Sequence, residues 1–273
     1  MIKTTLTAPR ANADQMLAIT EAHPTISLDV AEHPTDPDAY IYTFFLPDDT
    51  QDALAALGPL TFTPVEDNVD YVALTRANFP PLTVGQFFIA RNDEPTPPGL
   101  TGLHISPNRA FGSGEHATTT GCLMAYQHLT ANGNPFTSGL DYGAGSGILA
   151  LAAARQNGTP FLCLDNDPPS VEICTENAAQ NGVIPLIQSG LAEVPPTGQT
   201  FNLIFANILM QPLIDMAPAL AACLQKSPEA ALILSGFTED QAPAIAAAYT
   251  PLGLRHTWQH EHQGWLAQVW QWG

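Results

Sequence analysis

The chain has 273 residues, 45% of them hydrophobic and 12% charged, which supplies a sizeable core and excludes wholesale disorder. Its 26 acids against 8 bases leave a formal charge of −18, a balance that repels phosphate backbones and argues against nucleic acid as a direct partner. No run of eighteen apolar residues occurs and MIKTTLTAPRANADQ lacks a basic-then-apolar signal pattern, so a cytoplasmic protein without a membrane span is expected.

Residues 1–75 hold twelve acids against Lys3 and Arg10, a net −10 that serves either solubility or the docking of a basic protein. Strand-like pieces at Ile2–Leu6 and Ala39–Phe45 and helix-like pieces at Ala13–Ala22 and Gln51–Leu57 are separated by the turn-rich HPTDPD (33–38) and LPDD (46–49). The pattern predicts a small two-layer α+β domain over residues 1–75. In NFPPLTVGQFFIARNDEPTPPGL (78–100) prolines bracket one apolar strand, and 76–104 reads as a linker region.

Over 105–273 strands and helices alternate. Apolar strands are predicted at Gly139–Tyr142, Pro160–Leu164, Phe201–Phe205 and Ala230–Leu234. Helices are predicted at Thr118–Leu129, Gly147–Gln156, Pro169–Asn181, Pro212–Leu224 and Gln241–Tyr249, the first with Thr119, Cys122, Leu123 and Tyr126 on one face. Such alternation implies a parallel sheet with helices on both faces, and ligands held off the carboxyl ends of its strands. Cys122, Cys163, Cys174 and Cys223 form no CxxC pair and read as reduced structural thiols. His256, His260 and His262 in HTWQHEHQGW have a spacing that alternation along a surface strand explains as well as metal binding does, and no metal site is expected.

Two glycine-rich loops, FGSGEHATTTGCL (111–123) and GLDYGAGSGILALAAA (139–154), each stand at the mouth of a helix, as if gripping one small molecule from two sides. In the second, Gly143, Gly145 and Gly147 form G-x-G-x-G directly after a strand, where glycine permits positive φ and close approach of a ligand to the backbone. A dinucleotide fingerprint would need glycine at Ile148, and the compressed spacing suits S-adenosyl-L-methionine, which has no pyrophosphate. FLCLD then ends in Asp165, placed to accept both hydrogen bonds of an adenosyl ribose, while Asp167 in DNDPPS is the better helix cap. In FNLIFANILMQPL (201–213), Asn207 follows an apolar strand. Its side-chain oxygen would accept a hydrogen bond from a substrate amine and turn the nitrogen lone pair toward an electrophilic methyl; the alternative is a turn-forming asparagine.

FGSGEHATT, LDYGAGSGILALAA, LDNDP and FANILMQPL, in this order, with LILSGF (232–237) and the closing strand Trp265–Trp270, resemble the ribosomal protein L11 methyltransferase family over about residues 78–273. The resemblance implies a Rossmann-like seven-stranded class I methyltransferase domain preceded by a small ferredoxin-like α+β substrate-recognition domain on a flexible linker. It implies methylation, from S-adenosyl-L-methionine, of lysine side chains and the N-terminal α-amine of ribosomal protein L11, a basic substrate; a monomer is expected, though no residue pattern speaks to oligomeric state. Thr119, Gly143, Asp165 and Asn207 are then expected to contact the cofactor, with Gly145, Phe111 and Gly112 beside them and FGSGEHATT at its methionine end.

Glu115 and Ala117 stand where that family usually has threonine and proline, and Glu115 is expected to face the methyl-transfer funnel. In-line displacement needs no nucleophilic serine or cysteine, and His116 is the nearest candidate base. The runner-up is a lysine methyltransferase of another protein, such as the electron-transfer flavoprotein β subunit; those enzymes generally lack the N-terminal domain. A nicotinamide-dependent oxidoreductase is disfavoured by Ile148. An adenine N6-methyltransferase would want Asn-Pro-Pro-aromatic where this chain reads Asn207-Ile208-Leu209-Met210.

Overall fold

The structure is a computed structural model. It describes residues 2–12, 25–32, 36, 39–47, 49–64, 80–90, 94–105, 116–131 and 136–273, with short pieces at 15–16, 19–20 and 23. The chain divides into two units, Met1–Tyr71 and Val72–Gly273.

In the first unit β1 (Ile2–Pro9), β2 (Ser27–Glu32), β3 (Ala39–Leu46) and β4 (Thr63–Pro64) pair antiparallel in the order β2-β3-β1-β4, the order of a split β-α-β, ferredoxin-like sheet. Alternation along β3 turns Tyr42, Phe44 and Leu46 inward against Leu54 and Met16, which forms this unit's core. Gln51–Leu57 is a seven-residue 3-10 helix rather than the predicted α-helix. Thr50 caps nothing, its hydroxyl donating instead to Pro47 O, and Gly58 at φ 90° ends the segment before an α-helical nucleus is offset by further turns. The helix predicted over Ala13–Ala22 lies mostly outside the described residues.

In the second unit β5 (Leu82–Val84), β6 (Phe87–Ala90) and β7 (Thr101–His104) form a three-stranded sheet in that order. It is held to the larger sheet's helices by paired hydrogen bonds. His104 N donates to Asn181 Oδ1 (2.8 Å) while Asn181 Nδ2 donates to His104 O (2.7 Å), and Gln86 N donates to Gln127 Oε1 (2.7 Å).

The larger sheet contains β8 (Gly139–Tyr142), β9 (Phe161–Asp165), β10 (Ile187–Leu191), β11 (Leu203–Asn207), β12 (Ala231–Thr238), β13 (Leu254–His262) and β14 (Trp265–Trp272). Its order is β10-β9-β8-β11-β12-β14-β13, parallel except for β14, which runs antiparallel to both neighbours. This is the expected seven-stranded Rossmann-like sheet, and strand order reverses between β8 and β11. Helices α1 (Ala117–Ala131), α2 (Ile148–Asn157) and α3 (Pro168–Gln180) cover one face; α4 (Met210–Asp215), α5 (Ala217–Cys223) and α6 (Ala242–Tyr249) cover the other. Leu203 and Phe205 therefore point into one core and Ile204 and Ala206 into the second, which is why the central strands read as unbroken apolar runs.

Several elements differ from the sequence expectation: the stretch 76–104, expected to hold one apolar strand, holds β5, β6 and β7, and the strand expected at Phe201–Phe205 is Leu203–Asn207. The predicted helix Pro212–Leu224 is broken at Met216, because Pro218 lacks an N–H and its ring excludes the carbonyl of Ile214 from a continuous helix. The strand begun at Ala231 runs on to Thr238 through a register shift at Gly236, whose φ of 99° makes a bulge there. All four cysteines are buried and unbridged. Among the described residues no helix is long and apolar enough to cross a membrane.

Candidate active site

A cleft of about 600 Å³ opens off the carboxyl ends of β8, β9 and β11, at the point where strand order reverses. Its first wall is the turn after β8, with Gly143, Gly145 and Gly147 at φ 74°, 53° and 78°. A side chain on Gly147 would meet Cys174 Sγ at 2.6 Å, so helix α2 can start beside α3 only with glycine there. The turn is tied to the next strand: Gly143 N and Ala144 N both donate to Leu164 O (2.8 and 3.1 Å).

Asp165, at the end of β9, fixes this wall. Its Oδ2 accepts from Gly145 N (2.8 Å) and its Oδ1 from Asp167 N (3.0 Å), leaving each oxygen with further acceptor capacity at the lip of the cleft. Asp167 is the cap of α3, accepting from Ser170 N at 3.1 Å, as its sequence position suggested. Beneath the turn Asp141 is fully buried and accepts from Ala150 N (3.2 Å). Burial pushes its carboxyl up to about 8; the Ala150 N–H pulls the other way and the Asp165 charge adds to the rise. Tyr142, at the end of β8, donates from its hydroxyl to Glu193 O (2.6 Å), and burial raises its pKa with help from the Asp165 and Glu193 charges.

The opposite wall begins at Asn207, the last residue of β11, and continues through Ile208 and Leu209 into α4. Ile208 is wedged between two glycines. A Cβ on Gly143 would lie 2.2 Å from Ile208 Cγ2, and one on Gly236 would lie 2.0 Å from Ile208 O. The bulge in β12 thus exists where the backbone leaving Asn207 must pass. Neither Ile208 nor Gly236 was singled out from sequence, although a glycine inside the strand-like LILSGF was the available signal.

The first turn of α1 closes the cleft. Thr119 Oγ1 is buried with no hydrogen-bond partner among the described residues, a costly arrangement unless something else bonds it. His116 also lines the cleft, with Nδ1 2.8 Å from Thr118 Oγ1 and its ring edge-on to Trp265 at 5.2 Å. Of the residues picked from sequence, Thr119, Gly143, Gly145, Asp165, Asn207 and His116 thus border one cavity, while Phe111, Gly112 and Glu115 lie outside the described residues. The three C-terminal histidines lie elsewhere. His256 Nε2 is 2.8 Å from Trp258 O, and His260 stacks between Trp258 and His262 along β13.

The sequence model of the family described as ribosomal protein L11 methyltransferase (PrmA) matches residues 48–271. The chain belongs to this family. A ribosomal protein L11 methyltransferase of Brucella suis is 34% identical over 275 residues, 95% of each chain. One from Rhizobium meliloti is 36% identical over 210 residues, 73% of this chain and 70% of the other. The crystal structure of ribosomal protein L11 methylase from Lactobacillus delbrueckii subsp. bulgaricus superposes with a TM-score of 0.61 at 26% identity, covering 70% of this chain and 98% of that one. The protein is accordingly a class I methyltransferase that uses S-adenosyl-L-methionine.

Proposed function

We propose that the protein transfers methyl groups from S-adenosyl-L-methionine to amino groups of ribosomal protein L11, on lysine side chains and the N-terminal α-amine, and that it does so as a cytoplasmic monomer. The reading rests on the meeting of Thr119, Gly143, Asp165 and Asn207 in one cleft of a family member. These residues suit the cofactor's parts. Asp165 offers two carboxylate oxygens to a vicinal diol, and the positive-φ glycines leave the backbone bare against an adenosyl group. The unpartnered Thr119 hydroxyl, in the first turn of a fifteen-residue helix, suits the methionine carboxylate.

Bound there, the cofactor supplies a methyl group on a positively charged sulfur. The residues of the chain supply alignment, the larger part of the acceleration in an in-line displacement. Asn207 accepts a hydrogen bond from the amine and so directs its lone pair. A lysine with a reference pKa near 10.4 must first lose a proton, and His116, which lines the same cleft, is the candidate base. The acidic first unit, net −10 over residues 1–75, would attract a basic substrate.

The test is incubation of the purified protein and methyl-labelled cofactor with recombinant ribosomal protein L11 and, separately, with the electron-transfer flavoprotein β subunit, read by intact mass. Mass gains in steps of one methyl on the first acceptor alone are expected. Gain on the second acceptor alone would overturn the substrate assignment.

A further inference from the structure

We infer that Asp215 is a positioning residue for the acceptor, drawing the ammonium head of an unbranched alkyl amine to the mouth of the cleft, before that head loses its proton and passes on to Asn207, while an apolar strip beside it packs the methylene stem. The inference rests on the amine-methylation reading above and adds a residue that positions the acceptor. Leu209, Pro212 and Met216 follow one another at spacings of three and four, so they share one face across the start of α4 and its end, and all three border the cleft. Leu209 is 69% exposed, so its side chain offers apolar surface at the cleft. Asp215 sits on the same face, three residues beyond Pro212, and borders the cleft with them.

Asp215 is exposed, so its carboxylate is open to a ligand arriving from solvent. Asp215 is the last residue of α4 and lies two residues before the start of α5, so the dipoles of these two short helices act on its charge in opposite senses. Among the described residues its hydrogen-bond partner is Gln211 Nε2, 2.8 Å from Oδ1, a neutral donor that leaves the carboxylate able to take a cation. Among the described residues the cleft is bordered by three carboxylates, Asp165, Glu193 and Asp215, and by no lysine or arginine. Asp165 and Glu193 both stand on the β8–β9 side of the cleft, Asp165 bonded to Gly145 N and Glu193 O accepting from the Tyr142 hydroxyl. Asp215 alone shares a segment with Asn207. An aliphatic strip ending in one carboxylate matches a lysine side chain, whose stem is apolar and whose head is a compact cation.

Asp215→Asn removes the charge and keeps the shape, and Asp215→Glu keeps the charge. Four quantities decide the matter: KM and kcat for ribosomal protein L11, the Kd of S-adenosylhomocysteine by calorimetry, and the Kd of n-butylamine by NMR titration of the product-bound enzyme. The expected result for Asp215→Asn is about a tenfold rise in KM and in the n-butylamine Kd, as for loss of one charge-assisted bond. The S-adenosylhomocysteine Kd should stay within about twofold, as an intact fold requires, and Asp215→Glu should recover most of the loss. An unchanged n-butylamine Kd in Asp215→Asn, or a fall in kcat with KM unmoved, overturns the inference. If the wild type fails to methylate ribosomal protein L11, the function proposed above falls. The n-butylamine titration still decides the role of Asp215 in that case.

Discussion

The wall of the cleft made by Gly143–Gly147 and Asp165 presents backbone and one carboxylate, whereas the wall made by Asn207–Met216 presents side chains, most of them apolar. The first is held by main-chain bonds to Leu164 and by Asp165 itself, so its shape is set before anything binds. The second starts from a strand end and runs into a six-residue helix broken at Met216. A donor molecule that never changes is suited to a rigid backbone cradle. An acceptor that arrives on a protein is suited to side chains, which can be exchanged without disturbing the sheet. Binding of cofactor and transfer of the methyl group should therefore separate by wall.

Asn207→Ala breaks this division most sharply. With the first wall intact, the Kd of S-adenosylhomocysteine should move by less than about threefold, while kcat for methylation of ribosomal protein L11 falls about 10²-fold through lost alignment. Calorimetry and a single-turnover assay give the two numbers. A large loss of cofactor affinity with kcat retained would place Asn207 on the donor side and dissolve the contrast.

Gly236→Ala probes the link between the walls. The added Cβ would meet a backbone oxygen, Ile208 O at 2.0 Å, which cannot rotate aside, and the residue would be held at φ 99°. A stability cost of about 1–3 kcal/mol is expected. The displaced Ile208 should carry Asn207 with it and lower kcat about tenfold at a temperature where the variant is fully folded. Gly253→Ala, also at positive φ (93°) but near only the Trp272 ring, serves as the control for backbone strain without that displacement. Equal kcat values in the two variants would remove the proposed coupling through Ile208.

How much of this was legible in sequence follows from the range of each signal. The turn after β8, the acid ending β9 and the amide ending β11 were legible because each is a local pattern at the end of an apolar run. The seven-stranded sheet followed from alternation together with family resemblance. What escaped was set by packing at a distance. Ile187–Leu191 became β10 at a sheet edge with no fully buried residue, so it carried no apolar run to detect. Leu254–His262 became β13, where one buried leucine precedes mostly exposed positions. The clasp of Gly143 and Gly236 on Ile208 joins residues 93 positions apart, and no window around any one of them contains it. Likewise Pro212–Leu224 has helical composition throughout, and the break at Met216 comes from one proline's missing N–H.

The effect furthest from methyl transfer concerns the floor beneath the first wall. Asp141 carries a folded-state pKa near 8, raised from an ordinary value near 3.8 mainly by burial. Between those values the unfolded chain has released a proton that the fold retains, so the unfolded state binds fewer protons and stability falls as pH rises. The contribution is favourable in full below about pH 4 and is lost on passing through about pH 8. Asp141→Asn keeps an oxygen to accept from Ala150 N and has no proton to lose, so its melting temperature should gain on the wild type as pH is raised from 4 to 8, by several °C at the upper end. The comparison must be of the two proteins at each pH, because the net charge of −18 adds a repulsion of its own that both share. A constant difference across the range would mean that Asp141 is ionised in the folded state. The turn after β8 would then rest on a buried negative charge stabilised by the N-terminal end of α2, and the first wall would owe its rigidity to electrostatics rather than to main-chain bonding.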